Sequence, residues 1–520
     1  GLVGSEMCIR DSRGTYSDTS TQSKNTYADA IATLNKSFND WSVNVNLGVS
    51  LSDSRYEMIG YEGGLKLINF FAVHNIDFNK AWKAKQSGWH DQTRAIFANA
   101  EIGWKSMIYL TATGRNDWDS RLAFSDYKSF FYPSIGLSAI LTSMFNAPDW
   151  LTYLKVRGSY TEVGNSYGRF MTTVTYPYDE QTQSWTSTSS YPNTKLKPER
   201  TKSWEVGLDA RILNDISLNL TYYRSNTYNQ TFYADLSLSS GYSNIPIQSG
   251  NIMNEGLEMS LGYNKQWKDF SFNTNYTLTW NKNRVKRLAD GVYNYATGQP
   301  IQMPELSPLT YGHTDARLIL RVGGSMGDVY GQRLLKRDLN GYILNEEGVG
   351  LAMENKETYL GSILPKMNMG WSLGFGYKGV NLGMTFTGRF GGIVISETQS
   401  VLDAAGVSKV SADVRDAGGV QINQSKVSAQ TYYQTIQGTA AYYTYSATNV
   451  RLGELSLSYT LPKKWFDNKV GMTVGLVGKN LWMIYCKAPF DPELTTSAAS
   501  NFYQAVSYTH LRAHETSLHL

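Results

Sequence analysis

The chain has 520 residues, a formal net charge of +4, 18% charged and 13% aromatic residues, and a mean hydropathy of −0.36. Charge falls below the ~25% of an average soluble domain, and no apolar run approaches the ~18 residues of a helical membrane span. A helical membrane protein is excluded, and so small a charge excess leaves no electrostatic footprint for nucleic acid.

Gly1–Ser12 and Val506–Leu520 break the pattern of the rest and resemble translated sequencing-adapter read-through. The expected division is therefore 1–12 and 506–520 as adapter-like ends around a single body, 13–505. Within that body stand one cysteine, Cys486, and three histidines, His74, His90 and His313. A lone cysteine forms no internal disulfide.

Along the body, apolar residues recur in steps of two. Trp41, Val43, Val45, Leu47, Val49 and Leu51 alternate with Ser42, Asn44, Asn46, Gly48, Ser50 and Ser52. That is about twice the usual soluble strand. The pattern predicts strand pairs at about 25–38/41–52, 93–103/105–114, 128–141/150–163, 201–212/216–230, 254–264/268–281, 366–378/380–390 and 447–460/470–482. Turns inside each pair are short, such as Asn39-Asp40 and Lys378-Gly379, whereas 53–92, 164–200, 282–365 and 391–446 are long.

Strands of this length with alternating faces suit hydrocarbon on one side and a hydrated lumen on the other, and one-sided loop asymmetry is the habit of outer-membrane barrels. The fold expected is all-β, a transmembrane antiparallel β-barrel with long extracellular loops. Aromatics near strand ends, among them Trp41, Trp104, Trp204, Trp280, Trp371 and Trp482, suit interfacial girdles.

No HExxH, GxSxG or P-loop pattern occurs, so no catalytic residue, cofactor or metal site is assigned. Asp338-Leu339-Asn340-Gly341 has the opening of a calcium-loop spacing without its closing acid. Lys282, Arg284, Lys286 and Arg287 follow a strand without interleaved aromatics; outer-membrane lipid phosphate suits them better than nucleic acid.

Several runs carry a family resemblance. GRNDWDSRLAFSDYKSFFYPSIGLSAILTSMF (Gly114–Phe145), LKPERTKSWEVGLDARIL (Leu196–Leu213) and SGNIMNEGLEMSL (Ser249–Leu261) resemble segments of TonB-dependent outer-membrane receptors. LPKMNMGWSLGFGYKGVNLGMTFTGRFGG (Leu364–Gly392) and VGKNLWMIYCKAPFDPE (Val477–Glu493) are similar to the SusC/RagA branch. The resemblance implies a partial barrel, about 14 of ~22 strands. It also implies a plug and TonB box outside Arg13–Gln504, TonB and a SusD-like surface lipoprotein as partners, and a glycan or peptide ligand. The alternative is a passive porin or structural barrel. By the family's logic the ligand meets extracellular-loop aromatics, and Trp82, Trp89, Trp118, Tyr176, Tyr178 and Trp185 are the candidates.

Overall fold

The computed structural model describes residues 14–493 apart from 81, 180–183, 187, 237, 249, 289–291, 294–297, 302–304, 339–340, 343–350 and 423–424. The calcium-like segment thus lies partly outside the described residues. Fourteen strands form one antiparallel sheet, each hydrogen-bonded to the next in chain order. They are β1 (Thr15–Phe38), β2 (Trp41–Gly64), β3 (Trp82–Trp104), β4 (Ile108–Asp119), β5 (Phe130–Ile140), β6 (Leu151–Asn165) and β7 (Glu199–Ile212). The second half comprises β8 (Ile216–Tyr228), β9 (Asn251–Trp267), β10 (Phe270–Arg287), β11 (Met367–Tyr377), β12 (Val380–Phe390), β13 (Asn449–Thr460) and β14 (Thr473–Cys486). All seven predicted hairpins are present. β1 and β14 do not pair with each other, so the sheet is open.

Five of the connections at one end, the turn end, have only two or three residues. At Lys378-Gly379 both residues have positive φ, 45° and 92°, as a two-residue turn matching strand twist requires. Connections at the opposite, loop end reach 79 residues, at 288–366.

Pairing puts the whole apolar pattern into register. One row crosses every strand: Phe38, Trp41, Trp104, Ile108, Ala139, Val156, Leu208, Leu220, Met259, Leu278, Met369, Gly388, Val450 and Tyr485. Its neighbour runs Ser42, Gly103, Tyr109, Ser138, Arg157, Gly207, Thr221, Glu258, Thr279, Asn368, Arg389 and Asn449. A slip of one residue anywhere would put the second set on the apolar face. The apolar row starts at the turn end of β1 and reaches β14 twelve residues beyond Thr473. At ~3.3 Å per residue and ~4.8 Å between strands, that climb is a tilt of roughly 32°, close to the ~35–45° of outer-membrane barrels.

The structure corrects the loop ends of three strands. β1, β2 and β3 have 24, 24 and 23 residues, so the expected connection 53–92 shrinks to 65–81. Trp82 and Trp89, expected in a loop, lie in β3, and Trp118 lies in β4. Beyond Leu51 the apolar face of β2 continues as Asp53, Arg55 and Glu57, still paired to β3. A strand leaving hydrocarbon loses its alternating polarity but keeps its backbone partners. Pattern alone therefore ends it too early.

Apolar packing is concentrated in the connections. In the longest of them a four-stranded sheet (Glu305–Thr310, Ala316–Arg321, Asp328–Leu335, Met353–Ser362) joins helices α1 (Glu397–Ala404), α2 (Lys409–Asp416) and α3 (Ala429–Ile436) from the connection after β12. Ser396, Ser408 and Ser428 cap the three helices by accepting from the backbone N–H three residues on. Leu335, Leu351, Ile422, Val427, Tyr433, Ile436 and Tyr443 form the core beneath them.

On β13, Leu457 and Tyr459 are exposed on the apolar face and Ser456 and Ser458 are half-buried on the other. In membranes carrying the full-length protein, Ser456→Cys should react with a water-soluble, membrane-impermeant thiol reagent and Leu457→Cys should not. Faster labelling at 457 would reverse the assignment of the faces.

Candidate functional site

The first cluster is a ladder on the polar face of β4. Arg115, Asp117 and Asp119 are spaced by two and so fall on one side of the strand, and Arg121, in the 3-10 turn that follows, reaches back to Asp119. Arg115 donates from Nε to Asp117 at 2.7 Å, and the Tyr132 hydroxyl donates to the other Asp117 oxygen at 2.8 Å. The Arg115 guanidinium lies 5.6 Å from the centroid of the Phe97 ring. Asp119 accepts from the Arg121 side chain at 2.5 Å and from Ser166 at 2.8 Å. Deeper on the same face Arg157 bridges Asp209 and Thr221, both at 2.6 Å. Such fully paired charges make a rigid, hydrated wall.

Above the ladder the connection 166–198 folds back over the wall. Leu122, Phe130, Tyr167 and Leu196 form its small core. Arg169 spans the Trp89 ring at 3.6 Å from its centroid and ion-pairs with Asp91 at 2.6 Å, while Tyr56 stacks on the same indole at 5.7 Å. Trp89 thereby fastens a loop to β3. Nothing in the sequence marks Arg169 and Asp91 as partners, because 78 residues separate them.

The six candidate aromatics divide accordingly. Trp118 stands on the apolar face of β4 beside Ile96 and Phe131. Trp82 is on the equivalent face of β3, edge-on to Phe78 at 5.1 Å. Tyr178 and Trp185 face each other across a small hairpin, Tyr178–Asp179 with Ser184–Trp185, at 5.1 Å and 64°. Tyr176 sits beside them in the chain. These three are 61%, 51% and 71% exposed at residues 176, 178 and 185, a wet aromatic surface at the loop end.

A buried polar knot ties the two largest connections together. Asp315, 1% exposed in its side chain, accepts from Arg333 at 3.1 Å and from the Ala440 N–H at 3.0 Å. His313 Nε2 lies 2.8 Å from the Gln437 carbonyl and its Nδ1 accepts from the Asp315 N–H. Those two bonds require a neutral ring with the proton on Nε2. Burial holds the His313 pKa below the ordinary 6.5, and burial pushes Tyr445 nearby up to about 12.

A family model described as "TonB dependent receptor-like, beta-barrel" matches residues 9–481. The chain belongs to this family. TonB-dependent receptors are outer-membrane β-barrel transporters and receptors, and the SusC/RagA resemblance read from the motifs is borne out among the relatives. TonB-dependent receptor P3 of Formosa agariphila is 24% identical over 90% of this chain and 49% of its own length. TonB-dependent receptor SusC of Bacteroides thetaiotaomicron is 25% identical over 46% of this chain and 22% of its own. The solved RagAB peptide transporter superposes with a TM-score of 0.73 at 18% identity, covering 92% of this chain and 53% of that one. The chain thus spans about half the length of P3, the first of these relatives.

Two measurements test the knot of this TonB-dependent receptor. Asp315→Ala strands the Ala440 N–H, a loss of about 1–3 kcal/mol, and faster hydrogen exchange should appear over 428–446 with the strands unchanged. Because the folded pKa of His313 is depressed, its contribution is complete above 6.5 and fades as pH falls below it. Exchange in 428–446, corrected for intrinsic rates, should accelerate between pH 7.5 and 5, and His313→Gln should remove that dependence.

Proposed function

We propose that the chain supplies the wall and outer loops of a TonB-dependent outer-membrane importer of SusC/RagA type for a large polar ligand, an oligosaccharide or a peptide. The observation that carries the reading is the asymmetry of the sheet: five turns of two or three residues and two of no more than twelve at one end, connections of up to 79 residues with cores of their own at the other. A diffusion pore has no use for so large a vestibule. In this reading the turn end faces the periplasm, TonB drives release through a plug, and a SusD-like lipoprotein covers the loops. RagAB, itself named a peptide transporter, supports the peptide end of the ligand range.

Tyr176, Tyr178 and Trp185 are assigned to the ligand, their flat faces stacking on sugar rings or peptide side chains. An aromatic contact of this kind contributes about 0.5–1.5 kcal/mol. Trp185→Ala in the full-length protein should therefore raise the ligand concentration for half-maximal uptake about 2- to 10-fold, with barrel assembly unaffected. Uptake should vanish in a strain lacking TonB. Undiminished uptake without TonB would favour the passive porin.

A further inference from the structure

We infer that the apolar face of β7 to β10 carries, at the loop-end rim, a binding site for the phosphate groups of an outer-leaflet phosphoglycolipid; this rests on the outer-membrane reading above. On three strands a cation stands two residues beyond an aromatic of the face, toward the loop end: Lys202 beyond Trp204, Arg224 beyond Tyr222, Lys282 beyond Trp280. Arg94 stands in the same relation to Ile96 on β3. Lys202, Arg224 and Lys282 lie ten, eight and twelve residues from the turn end of their strands. With the tilt derived above, that is roughly 22–34 Å along the membrane normal, the outer margin of a ~25 Å apolar band.

Charge at this rim is not balanced. Arg200, Lys202, Arg224, Lys282 and Arg284 face only Glu162 and Glu255 between β6 and β10. Arg200 and Lys202 share Glu162 at 2.6 and 3.4 Å, and Lys282 reaches Glu255 at 3.7 Å. The side chains of Arg224 and Arg284 have no hydrogen-bond or ion-pair partner among the described residues. Unpaired guanidiniums beside aromatics at a lipid boundary match phosphate in geometry and charge. A free phosphate would use the cations alone, whereas a lipid also lays its chains on Trp204, Tyr222 and Trp280 below.

The test uses the full-length protein purified from outer membranes, with diphosphoryl lipid A as probe and its phosphate-free form as comparison. Bound lipid per protein is counted by native mass spectrometry. Each exposed cation contributes about fivefold at such a surface, so Arg224→Gln/Arg284→Gln should lower lipid A binding at least fivefold. Glu255→Gln, which releases Lys282, should raise it about twofold, and Lys409→Gln on a distant helix should leave it unchanged. Equal binding of the phosphate-free lipid, or no change in either rim variant, overturns the proposal. If the double variant loses the heat-dependent gel mobility of a folded barrel, the Glu255→Gln result decides alone. Absence of the protein from the outer membrane would instead overturn the underlying functional reading.

Discussion

Backbone hydrogen bonding without water is the constraint from which the rest of this structure follows. A strand crossing hydrocarbon finds no solvent for its N–H and C=O groups, so each must bond to a neighbouring strand. The result is an unbroken ladder from β1 to β14, joined at one end by turns short enough to hold register. Once register is held, the side chains have no further choice. The row from Phe38 to Tyr485 is apolar throughout, and the next is polar. Tilt follows as well, since that row climbs about one residue for each strand it crosses.

Stability is distributed unlike that of a soluble domain. The wall offers its apolar side chains outward, so Leu47, Ile96 and Leu457 are more than half exposed. Apolar burial is found where the chain leaves the membrane, around Tyr443, Leu122 and Val329. The connections therefore behave as small globular units grafted on a rigid rim. Asp315 and His313 fix two of them to each other, and Arg169 with Trp89 fixes a third to β3. Such cross-links hold the connections in a fixed arrangement above the sheet, as the proposed importer would need. The His313 bonds also make that arrangement sensitive to acid, because protonating Nδ1 removes the acceptor of the Asp315 N–H at a buried ring.

Charge serves three separate purposes along the same strands. On the polar face, Arg115 with Asp117, and Asp119 with Arg121 from the turn that follows, neutralise one another and stiffen the wall. On the loops, charge anchors one connection to another. At the rim of the apolar face, cations outnumber acids, and there the partner is proposed to lie outside the protein. The distinction depends on which face a residue occupies, and thus on whether its position in the strand is odd or even.

Much of this was legible in the chain itself. The alternation of Trp41–Ser52, the short turns at Asn39-Asp40 and Lys378-Gly379, and the long stretches between pairs were enough to derive seven hairpins, the two faces and the all-β class. Those features are local: they arise from side-chain period and turn stereochemistry within a dozen residues. Three things were decided only by tertiary structure. Strands β1 to β3 continue past the membrane because pairing persists where polarity no longer alternates. Trp118 and Trp89 left the expected loops, one for the apolar face and one for a clasp with Arg169, because parity and a contact 80 residues away settle a side chain's surroundings. The knot of His313, Asp315, Arg333 and Ala440 joins residues up to 127 positions apart, and no period in a sequence records a contact at that distance.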